Sequence, residues 1–404
     1  MELAFDDSET ARELVERTRA FMDEVVIPTE REEFLSGGDM TDAVIEALRA
    51  EARDRGLYAP QLPEEYGGLG LDFRDVLPMF EEAGRSLLGP PALRVDAPDE
   101  GNMHTIEMVG TDAQKEEWLR PLVAGEYTSA FSMTEPMQGG GSDPKMLQTT
   151  AEKDGDEWVI DGHKWWTSQG DEADVLLVMA RTNQEAHPYE GCSFFLVPPD
   201  TEGVELRREV PYLGDAWGIG HPEVIYDGVR VPEENLLGPK DEGFQIAQRR
   251  LGPARLTHCM RFSGMAQRAI SVAKAYVHER EGFGEALSNK QSLRFKIARA
   301  ETRLYAVRTQ VRHAARQIAR GNEARTEVAM CKVFAANVVN DIIDDMLQLC
   351  GGNGIARDLP IAHFYEEVRA FRIFDGADEV HLRSIARASF ENVDREELAT
   401  VTRF

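Results

Sequence analysis

The chain reads as an α+β protein of three domains. The expected parts are an N-terminal α-helical domain at 1–128, a middle antiparallel β domain of sandwich or barrel type at 129–238, and a C-terminal four-helix bundle at 239–404. Three changes of texture carry that expectation. Helical periodicity dominates the first zone, short apolar runs replace it in the second, and long repeats of about 3.5 residues fill the third.

In the first zone the helical pattern runs from about residue 8 and is broken by loops such as Pro60-Gln61-Leu62-Pro63-Glu64-Glu65-Tyr66-Gly67-Gly68. Thr111 precedes Asp112-Ala113-Gln114-Lys115 and suits a helix N-cap, with Asp112 placed favourably in the first turn. In the second zone the apolar runs are Trp158-Val159-Ile160, Val175 to Met179, Ser193 to Val197, and Val224-Ile225-Tyr226 followed by Val229-Arg230-Val231. The last two flank Asp227-Gly228, which predicts a two-residue hairpin. No long helical pattern interrupts these runs, so antiparallel strands are expected rather than a βαβ sheet.

In the third zone Leu293, Ile297, Ala300, Leu304, Val307, Val311, Ala314 and Ile318 recur at alternating spacings of four and three. A second seam follows at Val328, Cys331, Ala335, Val338, Ile342 and Leu349, with Gly351-Gly352 as its stop. Two long helices with such seams predict antiparallel bundle packing.

Composition narrows the function. Apolar residues make up 42% of the 404 and charged residues 29%, which fits a folded chain rather than bulk disorder. With 72 acidic against 45 basic residues the net charge is −27, the wrong sign for a default binder of nucleic acid or anionic membrane. That charge reads as a strongly solvated surface. Cys192, Cys259, Cys331 and Cys350 are widely spaced and read as reduced, mostly buried thiols of a cytoplasmic protein. The segment Met1 to Asp7 shows no signal-peptide pattern, and no stretch reaches the roughly 18 apolar residues of a membrane span.

Metal chemistry finds little support. Asp378-Glu379-Val380-His381 is a single Asp-x-x-His without a mate, and no HExxH occurs. The glycine run Gly139-Gly140-Gly141-Ser142 lacks the spacing and βαβ setting of a nucleotide loop, and no GxSxG elbow is present. Its neighbours are more informative. Phe131-Ser132-Met133-Thr134-Glu135-Pro136 precedes it, and Gly162-His163-Lys164-Trp165-Trp166-Thr167-Ser168 follows downstream. Tandem tryptophans beside hydroxyls supply either a β-core cap or a flat wall with donors for a heteroaromatic ring such as a flavin.

Here the chain resembles the acyl-CoA dehydrogenase family along nearly its whole length. Thr134-Glu135-Pro136 to Ser142-Asp143 resembles that family's TEPxAGSD signature, lengthened by about two residues. Gly162-x-Lys164-x-Trp166 is similar to its GxKxWIT segment. Arg280-Glu281-Gly282-Phe283-Gly284 with Gln291 and Phe295 resembles its RxxFG…Q…F run, and Gln348 to Gly354 its QxxGGNG turn. The stretch Ile373 to His381 most resembles the subgroup whose vertebrate members carry an extra N-terminal phosphotransferase-like domain, which is not expected within these residues.

The resemblance implies an FAD enzyme. Phe131, Met133, Thr134 and Ser142 are expected along the isoalloxazine, with Trp166, Thr167 and Ser168 beside it. Arg280, Phe283, Gln291, Gln348, Gly351, Gly352 and Glu379 are expected to complete the FAD site, the first six reaching a neighbouring subunit's cofactor, so a homodimer or homotetramer is implied. The implied reaction removes a proton α to a thioester carbonyl and passes a hydride from the β carbon to the flavin. Most of the family uses a Glu in TyrGluGly; here Phe374-Asp375-Gly376 stands in its place, making Asp375 the candidate base. Asp is one bond of about 1.5 Å shorter than Glu. A second branch keeps its Glu where this chain has Ala254, which cannot accept a proton.

Arg255, Ser142 and Gly376 are expected to contact the acyl-CoA, and an electron-transferring flavoprotein is the expected acceptor. Nitroalkane-oxidising relatives use an Asp base on the same fold and hand electrons to oxygen, so a flavin oxidase is the alternative reading. A flavin-less scaffold is the third.

Overall fold

The computed structural model describes residues 5–35, 41–213, 220–391, 393, 397 and 400; Met1 to Ala4 of the segment read for a signal lie outside the described residues. Helices come first: α1 (Glu9–Phe21), α2 (Asp42–Asp54), α3 (Phe73–Ala83) and α4 (Asp99–Val109). Side chains satisfy their first N–H groups where the sequence supplies oxygen. Ser8 accepts from the Ala11 N–H, Thr41 from Val44 and Asp72 from Arg74. Thr111 forms a reciprocal capping box with Gln114, as its position predicts.

The middle region is one eight-stranded sheet, β1 (Ser129–Ser132), β2 (Thr150–Asp154), β3 (Glu157–Lys164), β4 (Val175–Arg181), β5 (Cys192–Val197), β6 (Val204–Glu209), β7 (Pro222–Pro232) and β8 (Leu236–Leu237). The strand order is β6-β7-β3-β2-β4-β5-β8, with β1 also on β4. Two expectations are corrected. The sheet is not wholly antiparallel, because β1 and β2 both pair with β4 in parallel. Asp227-Gly228 is not a hairpin either. It sits inside continuous β7, where these two residues oppose the single Asp161 between the pairs Ile160–Val229 and Gly162–Tyr226. The Gly228 φ of +61° and its N–H bond to Asp161 Oδ1 at 2.8 Å mark a bulge.

Alternate residues of β4 enter two cores. Leu176, Val178 and Ala180 join Trp158, Ile160, Phe195, Val197, Val229 and Val231 within the curl of the sheet. Val175, Leu177 and Met179 face the helices, in a core continuous with Phe80, Met103, Leu256 and Met260. A strand buried on both faces explains the unbroken apolar run.

Three long helices follow: α5 (Gly243–Glu279), α6 (Gln291–Ala319) and α7 (Arg325–Cys350). Two short ones, α8 (Pro360–Ala370) and α9 (Asp378–Phe390), share the fourth position of the bundle, both packed on α7. Ala300, Leu304, Val307, Val311 and Ala314 of the first seam are buried, as is every residue of the second. All four cysteines are free and buried. Among the described residues no helix is long and apolar enough to cross a membrane.

A polar chain registers the three regions. The fully buried Arg94 donates to Asp99 Oδ2 at 2.8 Å, Asp99 Oδ1 accepts from the Ser129 N–H and hydroxyl, and Ser129 Oγ accepts from Asn102. Asn102 Oδ1 accepts in turn from Arg250 of α5 at 3.0 Å. The start of β1, and with it Phe131 to Thr134, is thereby fixed against both helical regions.

Candidate active site

A cavity of about 1700 Å³ opens where the helices meet the sheet. Phe131, Met133, Thr134, Ser142, Trp166, Ser168, Arg255, Asp375 and Gly376 all line it. Thr167 is buried beside this wall rather than on it. Arg280, Phe283, Gln291, Gln348, Gly351, Gly352 and Glu379 lie outside the cavity lining and are exposed. Phe283, 96% exposed, stands at the tip of a small hairpin between Glu281–Gly282 and Glu285–Ala286. Within one chain the expected cofactor residues therefore divide into a cavity set and a surface set.

One wall is organised by a buried ion pair. Lys164 Nζ donates to Glu135 Oε1 at 3.0 Å and to the Met133 carbonyl at 2.9 Å. Glu135 also accepts from the N–H groups of Gly140, Gln148 and Thr149 and from the Thr149 hydroxyl at 2.6 Å. Two of the quoted motifs, the Thr-Glu-Pro loop and the Gly-x-Lys-x-Trp strand end, are thus clasped together. Burial lowers Lys164 to about 8, against the attraction of Glu135. The backbone turns at Trp166, φ +54°, and the ring stands T-shaped to Tyr212 at 6.3 Å. Ser168 Oγ lies 2.8 Å from His221 Nδ1. Arg250 stacks over the Phe131 ring at 4.0 Å.

The opposite wall is α5 and the loop before α9. Asp375 has φ +53°, an unfavourable conformation for a residue with a Cβ, and the surroundings hold it there. Its carbonyl accepts from Arg255 Nε at 2.8 Å and from His381 Nε2 at 3.1 Å. The next carbonyl, of Gly376, accepts from the buried Lys332 Nζ at 2.7 Å. Asp378 accepts from Arg372 and Asn337 and so braces the same loop. Arg255 is therefore committed at Nε to the loop, a role beyond the substrate contact expected of it. His381, read in the sequence as half of a metal pair and as the end of the Ile373 to His381 stretch, is a loop anchor.

The Asp375 Oδ2 atom is buried and, among the described residues, has no hydrogen-bond partner. Its nearest ion-pair partner is His258 Nε2 at 3.4 Å. Burial first, then Arg261, Arg250 and Lys332, hold His258 well below its ordinary value, so the imidazole is neutral. Burial likewise lowers Lys332 to about 8 and His381 to about 4. Sequence reasoning missed His258, Arg261 and Lys332. The signal for His258 was present: three residues beyond Arg255 on a helix, it shares that face. Among the described residues no cluster of three or more His, Cys, Asp or Glu could hold a metal.

The sequence matches the N-terminal, middle and C-terminal domain models of acyl-CoA dehydrogenase over residues 8–126, 130–227 and 241–390. It is 43% identical to the probable acyl-CoA dehydrogenase FadE2 of Mycobacterium tuberculosis over 89% of this chain and 88% of that protein. It is 37% identical to acyl-CoA dehydrogenase family member 11 of Gallus gallus, over 95% of this chain but 51% of that protein, so it spans about half of such vertebrate relatives. The acyl-CoA dehydrogenase structure from Geobacillus kaustophilus superposes with a TM-score of 0.84, at 29% identity, covering 96% of this chain and 100% of that one. The chain belongs to the acyl-CoA dehydrogenase family, flavoprotein oxidoreductases that bind FAD.

The residues present fit that cofactor. Among the described residues Trp165 Nε1 and Thr167 Oγ1 are buried polar atoms without partners on or beside the aromatic wall, where ring nitrogens and carbonyls of a flavin can satisfy them. The strand end from Phe131 to Thr134 borders the same space.

Proposed function

We propose that this protein oxidises an acyl-CoA thioester to its trans-2-enoyl-CoA, with Asp375 as the base that takes the α proton. The observation that carries the reading is the buried Asp375 Oδ2, unpartnered among the described residues, on a cavity shared with the Phe131 to Thr134 strand end and the Trp165-Trp166 wall. Ala254 lines the same cavity and offers no competing carboxylate.

Asp375 accepts the α proton, and the electron pair left on the α carbon forms the new double bond as the β hydride departs. Bound FAD supplies the two-electron acceptor for that hydride. Arg255, His381 and Lys332 keep the base loop still, so the carboxylate has little freedom to lose at the transition state. The backbone N–H at Asp375 itself is the donor for charge developing on the thioester oxygen, beside Gly376 at the acyl-CoA, and a ribityl hydroxyl of bound FAD would supply a second. Phe131, Met133, Thr134, Trp166, Thr167 and Ser168 hold the flavin ring, and Ser142 and Arg255 border the acyl-CoA. Of the exposed set, Arg280, Phe283, Gln291, Gln348, Gly351 and Gly352 are assigned to FAD contacts made with a second copy of the chain, as a homodimer or homotetramer, and Glu379 to the FAD site without that assignment. An electron-transferring flavoprotein reoxidises the enzyme, in the cytoplasm.

The second reading, a nitroalkane-oxidase-like flavin oxidase, is favoured by the same Asp base. Anaerobic titration with a panel of acyl-CoA thioesters tests the first: flavin absorbance falls and enoyl-CoA forms. Absence of bleaching by every thioester, with bleaching by nitroalkanes and fast reoxidation in air, selects the second.

A further inference from the structure

We propose that His258 is a positioning residue for the Asp375 carboxylate, held by Arg261 in the tautomer that presents its Nε2–H to Oδ2. The inference rests on the reading of Asp375 as the base. Its geometry comes from two contacts. Arg261 Nη2 lies 3.0 Å from His258 Nδ1. A guanidinium only donates, so Nδ1 must accept and the ring proton resides on Nε2. That nitrogen lies 3.4 Å from Asp375 Oδ2, which has no hydrogen-bond partner among the described residues.

The ring has little room to turn away. It stacks on Phe262 with planes 12° apart and meets Phe374 edge-on at 5.0 Å, with Phe371 at 5.9 Å. Arg261 is itself fixed, donating from Nη1 to the Val95 carbonyl. A distance of 3.4 Å is longer than a made bond, and such contacts commonly close only when substrate fills the site. A neutral donor suits this place. It orients one carboxylate oxygen, and it adds no further cation beside Arg255 and Lys332.

The experiment uses the FAD-loaded enzyme in two measurements. In 15N-histidine-labelled protein the His258 resonances are assigned by their loss in His258→Gln. The inference expects a protonated Nε2, a bare Nδ1 and no titration from about pH 6 to about pH 8. A protonated Nδ1, or titration within that range, overturns it. The second measurement isolates proton abstraction, using the 3-thia analogue of whichever panel thioester bleaches the wild type fastest. Sulfur at the β position leaves an acidic α hydrogen but no hydride, so exchange of that hydrogen with deuterated water reports the base alone.

His258→Phe, which the surrounding rings accommodate, is expected to slow exchange about tenfold. His258→Gln, whose amide restores an N–H near Nε2, is expected to recover most of it. Exchange in His258→Phe at the wild-type rate, with Asp375→Asn inactive, overturns the His258 role and leaves the base. Equal losses in Phe and Gln variants that retain FAD reduce His258 to packing and also overturn it. Wild-type exchange in Asp375→Asn, or no thioester that bleaches the wild type, removes the base reading and this inference with it.

Discussion

Arg255 and Asp375, 120 residues apart in sequence, meet through a 2.8 Å hydrogen bond from the guanidinium Nε to the backbone carbonyl. The bond ties the longest helix to the loop that carries the candidate base. Its consequence is a separation of kinetic effects. Arg255→Leu is expected to lower kcat roughly 10–100-fold, the size of a lost charged hydrogen bond, while FAD content stays unchanged. Steady-state kinetics check this; a raised KM with unchanged kcat assigns Arg255 to substrate binding instead.

Gly376 has φ +96°, and a Cβ built there meets His381 Nε2 at 2.8 Å. Gly376→Ala must both adopt a left-handed backbone and displace the imidazole that holds the Asp375 carbonyl. A loss of about 1–3 kcal/mol is expected. Denaturant unfolding measures it, and an unchanged midpoint contradicts the anchoring role of His381.

His381 should make the protein acid-sensitive. Burial, reinforced by Arg255 and Lys332, lowers it to about 4 from an ordinary 6.5. Between those values the unfolded chain binds a proton that the folded chain refuses. The stabilising contribution is therefore complete above about pH 6.5 and lost as pH falls towards 4, amounting to about 1–3 kcal/mol. His381→Gln retains a donor for the Asp375 carbonyl and removes the titration. Thermal melts across this range are expected to show a shallower acid limb in that variant.

The Glu135–Lys164 pair gives a prediction about cofactor retention. Glu135→Ala strands a buried ammonium and removes the acceptor of three backbone N–H groups. A loss of about 3–5 kcal/mol at the loop is expected, and with it most of the bound FAD. Glu135→Gln, which keeps an acceptor, is expected to retain more. Visible absorbance per chain after gel filtration decides between them.

Much of this was legible in the sequence because it is local. The seams of α6 and α7, the Thr111 cap and the change of texture at residue 129 follow from spacing and side-chain chemistry. Asp227-Gly228 was misleading for a physical reason. A positive φ at glycine serves a hairpin turn and a bulge equally, and only the single residue opposite on β3 tells them apart. The cavity side of the site was legible as motif order, whereas the contacts that make it work were not. Glu135 and Lys164 meet across 29 residues, Arg255 and Asp375 across 120. Such pairings depend on how domains pack, which no single segment encodes.

The most direct measurement is anaerobic bleaching of FAD-loaded Asp375→Asn by the acyl-CoA that bleaches the wild type. Asparagine keeps the shape and the loop but cannot take the proton. The spectrum of the variant should remain oxidised while the thioester still binds. Bleaching at the rate of the parent enzyme would mean that another group removes the α proton, and the account of this site would be wrong.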